Sequence, residues 1–366
     1  MRITIVHNES VYFAGAQRML GYYLEDARNH CEITLALTDN PRMRSLIPAG
    51  VQVVRLNAQA NSLAALPSHL VALATRTKNQ DTQLFHGWTA RDWELAALPS
   101  RLLGVPAVGT LHDHPQASFI SKARQVLMRG SAALGLDRVV CVSGAVQEAC
   151  FRCGYDHDRT QVIRNGLPLG CFTSSSRKTE PIRFGFIGAF SDRKGIAGLF
   201  AMMQQLSQIS QEPWELLVAG GAQDQSGQAL WNQLVEIHRD ASWWNRLKIL
   251  GWVDDSDAFF KSIDLLICPS KDFDPFPTVL LEAAKAGVPA LATRVGGVQE
   301  IVMDSATGWV IEPEDWIAGG ELLAKILVSP DLLRNYGFQA RCRMEQKFSV
   351  QKMVADYMSL YSELIE

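Results

Sequence analysis

The sequence predicts an α/β protein made of two successive doubly wound parallel sheets. Three observations predict it. Short apolar runs of strand length alternate with helical stretches along the chain, the pattern of parallel strands joined by right-handed crossovers. The alternation halts at a segment rich in Ser, Thr, Arg and Lys, 171–181, and then restarts, as at a linker. The length of 366 residues exceeds one ordinary core, so two domains of roughly 150–200 residues are expected.

The first strand is Arg2–His7, short and β-branched. The loop Asn8–Gly15 follows, then a helix over 16–28. A strand that leads through a glycine loop into a helix presents helix N–H groups at the carboxyl edge of the sheet, where α/β proteins bind ligands. Gly-x-Gly-x-x-Gly is absent, so this is no dinucleotide fingerprint. Further strands are expected at 32–38, 51–56, 83–86, 105–111 and 138–143, with helices at 62–77, 90–98, 118–133 and 145–153. Ser143 is placed to cap the last of these. His86-Gly-Trp88 and Leu111-His-Asp-His-Pro115 fall just after strands, on the functional edge, although polar residues there also serve as caps and turns. Val162 to Pro168 ends this half.

In the second half, Ile182–Gly188 is a strand, the polar loop 189–195 follows, and a helix spans 196–209. Arg193 and Lys194 stand at the helix entrance, where cations oppose the dipole. A bound phosphate reverses the sign of that effect; a solvated charged turn is the alternative. Strands are expected at 215–219, 247–250, 265–268, 290–292 and 309–311, and helices at 228–239, 256–262, 278–286, 316–328 and 330–347. The last stretch puts Val354, Tyr357, Met358, Tyr361 and Leu364 on one helical face.

Composition narrows the function. Hydrophobic residues make up 47% and charged residues 20%, as in ordinary globular proteins. The net charge of −3 gives no reason to expect nucleic acid. No apolar run approaches the roughly 20 residues needed to span a bilayer, and Met1–His7 does not read as a signal peptide. The seven cysteines are scattered and are expected to be reduced, in a cytoplasmic protein. Cys150-x-x-Cys153 has no second pair and His112-Asp-His114 no further ligands, so no metal is expected.

The richest stretch is Asp272 to Pro289, with carboxylates at Asp274 and Glu282. Pro275 and Pro277 keep the helix from starting before about Thr278, a cap or first-turn residue. Asp274 then lies in the loop and Glu282 one turn inside the helix. The orphan N–H groups between them suit an anion; a plain loop and a buried helix would look the same locally.

Taken together, the two α/β halves, the linker and this stretch resemble the GT-B glycosyltransferases of the family 4 type. The carrying motifs are Asp274-Pro-Phe-Pro-Thr-Val-Leu-Leu-Glu282, its continuation Gly287 to Val302, and Ala306 to Pro313. The resemblance implies two Rossmann-like domains facing across a cleft. Residues 1–168 would bind the acceptor and 169–349 the nucleotide sugar, with a C-terminal helix of about 350–366 packing back on the first. It implies a retaining enzyme that moves a sugar from a nucleotide-diphosphate donor, a UDP- or GDP-sugar, to a carbohydrate or lipid-linked acceptor, with no cofactor. Glu282 would bond the donor ribose. His112 and Asp274, the catalytic positions, would meet the sugar. Phe276, Thr278 and Val279 would approach sugar and diphosphate through their backbones. Lys194 would bind the diphosphate, with Gly15 and Ala16 meeting it from the first domain. Trp252 and Val253 would meet the base.

The chain departs from the family pattern at four places. Ala189 stands where an Arg is usual, leaving Arg193 as the substitute. Asp274 is one methylene shorter than Glu, Pro277 replaces a common Gly, and Arg294 an Asp or Asn. These departures keep open an epimerase, a phosphorylase or a non-catalytic GT-B module; a nicotinamide enzyme lacks its glycine fingerprint. Lys122, Arg124 and Arg129, among Phe119, Ile120, Val126, Leu127 and Met128, form a basic amphipathic patch suited to an anionic membrane or simply to solvent.

Overall fold

In the computed structural model, residues 1–9, 15–38, 40–56, 73, 81–170 and 181–366 are described. The expected helix over 62–77 and most of the segment 171–181 lie outside them. Contacts divide the chain into Met1–Pro168 with Phe348–Glu366, and Leu169–Lys347.

The first unit holds seven strands: β1 (Arg2–His7), β2 (Glu32–Thr38), β3 (Gln52–Leu56), β4 (Leu84–Gly87), β5 (Ala107–Leu111), β6 (Arg138–Cys141) and β7 (Thr160–Val162). All pair in parallel, in the order β3-β2-β1-β4-β5-β6-β7. Central strands such as β1 and β5 are apolar and buried, as a sheet covered on both faces requires. The order reverses direction between β1 and β4. Their register pairs Val6 with Gly87, so the segments after His7 and after Gly87 emerge side by side at the carboxyl edge.

The helices of this half are α1 (Gly15–Ala27), α2 (Pro41–Arg44), α3 (Trp93–Leu103), α4 (Lys122–Leu134) and α5 (Gly144–Arg152). Ser143 caps α5 through Val146 N–H. α3 differs from expectation: it starts after Asp92 and runs through Pro99 to Leu103. Proline removes one helical hydrogen bond, but Leu95, Ala96 and Ala97 are buried and α3 packs on β4 and β5, so tertiary packing overrides the break.

The second unit repeats the plan. Its strands are β8 (Ile182–Ala189), β9 (Trp214–Gly221), β10 (Leu247–Gly251), β11 (Leu265–Cys268), β12 (Ala290–Thr293) and β13 (Gly308–Ile311), in the order β10-β9-β8-β11-β12-β13. Here the reversal falls between β8 and β11. The helices are α6 (Ile196–Ile209), α7 (Gln225–His238), α8 (Ser256–Lys261), α9 (Thr278–Lys285), α10 (Val298–Ile301), α11 (Trp316–Leu327) and α12 (Pro330–Lys347). One core cluster joins β8, β9 and β11 to α6 and α11 through Phe184, Phe186, Leu199, Phe200, Leu216 and Leu323.

The final helix, α13 (Val350–Ile365), packs on α1 of the first unit. Its Tyr357 and Tyr361 enter the core there. Tyr23 Oη donates to Tyr361 Oη at 3.1 Å, Tyr361 Oη meets His86 Nδ1 at 2.7 Å, His86 Nε2 meets Thr110 Oγ1 at 2.8 Å, and Thr110 Oγ1 meets Tyr357 Oη at 2.9 Å. Buried polar groups this completely paired fix one arrangement of the helix on the sheet. Among the described residues no helix is long and apolar enough to cross a membrane.

Gly195 shows how tightly the second unit's edge is built. Its φ is +71°, and a Cβ there would lie 1.7 Å from the Pro269 carbonyl oxygen. Left-handed backbone alone costs a side-chain-bearing residue about 1–2 kcal/mol. Gly195→Ala is therefore expected to destabilise the protein by about 2 kcal/mol or more once the clash is included. Urea unfolding checks this, and a loss below about 0.5 kcal/mol would contradict the packing.

Candidate functional site

In the second unit the carboxyl edge gathers Asp274, Lys194 and the start of α9. Lys194 stands just before α6, after the turn from β8, where its N–H bonds Ser191 Oγ at 3.3 Å. Asp274 lies in the loop between β11 and α9 and is 3% exposed. Lys194 Nζ donates to Asp274 Oδ2 at 2.6 Å, and Ser270 Oγ donates to the same oxygen at 3.0 Å. Thr293 Oγ1 bonds the Ser270 carbonyl, and Gly297 N–H bonds the Asp274 carbonyl at 2.9 Å. Strand β12 and the turn after it thus fix the loop that presents the acid. Oδ1 of Asp274 makes no hydrogen bond among the described residues. Beneath, burial and then the Asp274 charge push the Cys268 thiol up to about 11.

Helix α9 starts with Pro277 in the cap position, so Thr278 is its first residue rather than its cap. No side chain among the described residues caps it. Its first N–H groups, at Thr278 and Val279, belong to half-buried residues and lie at the positive end of the dipole. Glu282 is buried one turn in, and Phe276 is buried too. Arg193 is exposed and carries no ion pair among the described residues; its carbonyl takes the Lys271 N–H at 2.9 Å. Trp252 follows β10, is 63% exposed and lies against Gly221 at the end of β9. Val253 beside it is half-buried.

The first unit gathers a second set at its own carboxyl edge. Gly15 and Ala16 open α1, and the Trp88 indole N–H donates to the Ala16 carbonyl at 2.9 Å. His112 follows β5, with its ring 5.5 Å from that of Trp88. Burial drives the His112 pKa down to about 4, against a backbone hydrogen bond from the ring to Trp88. Nε2 is buried without a hydrogen-bond partner among the described residues.

Sequence reasoning missed several residues. Ser270 fixes Asp274, and Asp92 fixes Asn8 and Thr89. His7 is buried with Nδ1 at 3.4 Å from Asp92 Oδ2. Their signal was position: each stands at or just after the end of a strand, or just before a helix. Of the amphipathic patch, Met128 is fully buried and Arg124 is bound to Glu94 and the Ala90 carbonyl.

Comparison with known proteins identifies the family of both units. Residues 13–170 match the model of Glycosyltransferase Family 4 and residues 172–343 that of Glycosyl transferases group 1. The chain belongs to the family 4-like GT-B glycosyltransferases. It is an enzyme of glycosyl transfer from nucleotide sugars. A stretch of 121 residues is 31% identical to N-acetyl-alpha-D-glucosaminyl L-malate synthase of Bacillus anthracis, covering 33% of this chain and 32% of that one. The UDP-Gal:alpha-D-GlcNAc-diphosphoundecaprenol alpha-1,3-galactosyltransferase of Escherichia coli is 22% identical over 313 residues, 81% of this chain and 79% of its own. The fold matches Anabaena HepE, solved with UDP and glucose, at a TM-score of 0.85 and 20% identity over 100% of both chains.

The buried imidazoles make stability depend on pH. Burial lowers His86 to about 3 and His112 to about 4 from an ordinary 6.5. Unfolding lets both rings take up protons near 6.5, so this stabilisation is complete above that pH and is lost as pH falls toward 4. The melting temperature should drop between pH 7 and pH 4.5, and less steeply for His86→Gln. An unchanged slope in that variant would remove His86 from the account.

Proposed function

We propose that the chain is a retaining hexosyltransferase that uses a UDP- or GDP-sugar and acts on a hydroxyl of a carbohydrate or lipid-linked acceptor. The observation that carries this reading is the Lys194–Asp274 pair beside the uncapped start of α9. A half-buried ammonium and free helix N–H groups are what a leaving diphosphate needs, because stabilising that charge is the protein's largest contribution to the chemistry. Lys194 and the N–H groups of Thr278 and Val279 hold the diphosphate. Arg193, exposed and without an ion pair among the described residues, supplies the second cation that Ala189 does not. Glu282 bonds the ribose, and Trp252 with Val253 meets the base. Gly15 and Ala16, at the start of α1, are likewise assigned to the diphosphate, and the first unit takes the acceptor.

Asp274 has two tasks in this reading. Oδ2 holds Lys194, and Oδ1 accepts a sugar hydroxyl. His112 is neutral at physiological pH and accepts a second sugar hydroxyl at Nε2. Neither residue acts as a general base; the departing phosphate takes the acceptor proton, and the family 4 likeness supports retention.

Thermal shift with UDP, UDP-glucose, UDP-galactose, GDP-mannose and ADP-glucose tests the donor class, since a ligand that binds only the folded state raises the melting temperature. Donor hydrolysis then tests catalysis. Lys194→Ala should lower turnover by about 100-fold, and Glu282→Ala by about tenfold or more, mainly through donor binding. Full activity in either variant would sink the assignment.

The enzyme is further proposed to work in the cytoplasm at an anionic membrane face. The six described cysteines are all free thiols, as a reducing compartment favours. Phe119 and Val126 are 66% and 62% exposed, and Lys122 and Arg129 are exposed beside them. Such a face suits anionic lipid. The protein should pellet with phosphatidylglycerol vesicles at low salt, and less with phosphatidylcholine or after Lys122→Glu with Arg129→Glu. Equal recovery in all three would exclude this face.

A further inference from the structure

The segment Trp88 to Asp92, between β4 and α3, meets the loop between β1 and α1 at both ends. At the start of that loop, Asp92 Oδ1 accepts the Asn8 N–H at 2.7 Å. One residue on, Arg91 Nη1 donates to Glu9 Oε2 at 2.7 Å. At the far end, the Trp88 indole N–H donates to the Ala16 carbonyl at 2.9 Å. Three side chains from five consecutive residues therefore grip the base of one loop.

The segment is itself fixed. Thr89 N–H and Oγ1 bond Asp92 Oδ2 at 2.7 and 2.8 Å. Trp88 N–H bonds the Val6 carbonyl at 3.1 Å. The chain folds back so closely on Gly87 that a Cβ there would lie 2.9 Å from the Asp92 carbonyl oxygen. Trp88 and Asp92 are fully buried. The Trp88 ring also packs 5.3 Å from that of His86, which α13 holds through Tyr361.

We propose that Trp88, Arg91 and Asp92 are positioning residues, which set the Gly15–Ala16 helix start for the donor's diphosphate. The inference rests on the reading above that Gly15 and Ala16 meet the diphosphate. Trp88 acts at two places: its indole N–H on the Ala16 carbonyl, and its ring against that of His112, 5.5 Å away. A displacement near 1 Å can cost about 100-fold in rate without removing any reacting group. None of the three needs to touch the substrate.

The test uses the full-length protein and the sugar nucleotide, among the four named above, that it hydrolyses fastest. Trp88→Phe keeps the ring and loses the N–H; it should lower kcat about tenfold. UDP affinity, assigned to Lys194 and Glu282, should change less than about threefold. Arg91 is half exposed, with 48% of its side chain accessible, so Arg91→Ala should fold even if the buried variants do not. It should lower kcat about three- to tenfold, and Arg91→Lys should restore at least half of the loss. A merely structural role would instead lower the fraction of molecules that bind UDP.

Trp88→Phe and Arg91→Ala both within twofold of the parent would overturn the clamp. Gly15→Val separates that failure from failure of the underlying reading. If Gly15→Val is crippled while the clamp variants are normal, only the clamp falls. If Gly15→Val is normal, or if none of the nucleotides is hydrolysed, the diphosphate assignment falls and the clamp with it.

Discussion

A parallel sheet whose strand order reverses in the middle leaves a gap at its carboxyl edge. The helices after the two strands at the reversal go to opposite faces, so nothing covers the space between them. Both units have this arrangement, at β1/β4 and at β8/β11. Every residue assigned to chemistry lies at or near such an edge. The rest of each unit is the packing that keeps those strands in register. Where register changes, the site changes with it: Val6 opposite Gly87 is what brings Asn8 within reach of Asp92.

The two edges are built from different physics. The second unit concentrates charge: Lys194 on Asp274, Arg193 exposed, and helix N–H groups uncapped. The first unit buries neutral rings: His86 and His112 lose their affinity for protons through burial, and Trp88 and the tyrosines fill the space around them. The charged edge of the second unit suits a diphosphate, which must be neutralised. The neutral rings of the first unit suit hydroxyl groups, which are read by fixed donors and acceptors.

The alternation of parallel strands and helices was legible because buried parallel strands read as apolar runs, and these recur between helices. Helix ends were less legible. Pro99 looked like a stop because its local cost is visible and the burial of Leu95 to Ala97 is not. Thr278 read equally as a cap or a first-turn residue; Pro277 takes the cap position and Thr278 the first turn. For the site, Asp274, Glu282 and Lys194 could be found from motif spacing. Asp92 and His7 could not, since they meet each other and Asn8 across more than 80 residues; Ser270 could not, since a serine four residues before an acid in a loop records no pairing. The Lys194–Asp274 contact spans 80 residues.

That contact also explains the shortened acid. A carboxylate one methylene longer would extend farther from its loop. As Asp, with Ser270 and Lys194 on one oxygen, it stays by the ammonium. Burying a carboxylate is costly unless it is paired and hydrogen-bonded; here Lys194 and Ser270 do both. The same pair solves the problem of a cation at the entrance of α6, where the dipole disfavours it. Without Asp274 the ammonium would stand uncompensated until a phosphate arrived. With it, the ammonium is electrically balanced, and under the proposed reading a diphosphate adds partners to Lys194 rather than creating the site. Ala189 fits this arrangement: an arginine at the end of β8 would add a second cation with no second carboxylate described beside it. Arg193 carries that charge one turn later, where solvent compensates it.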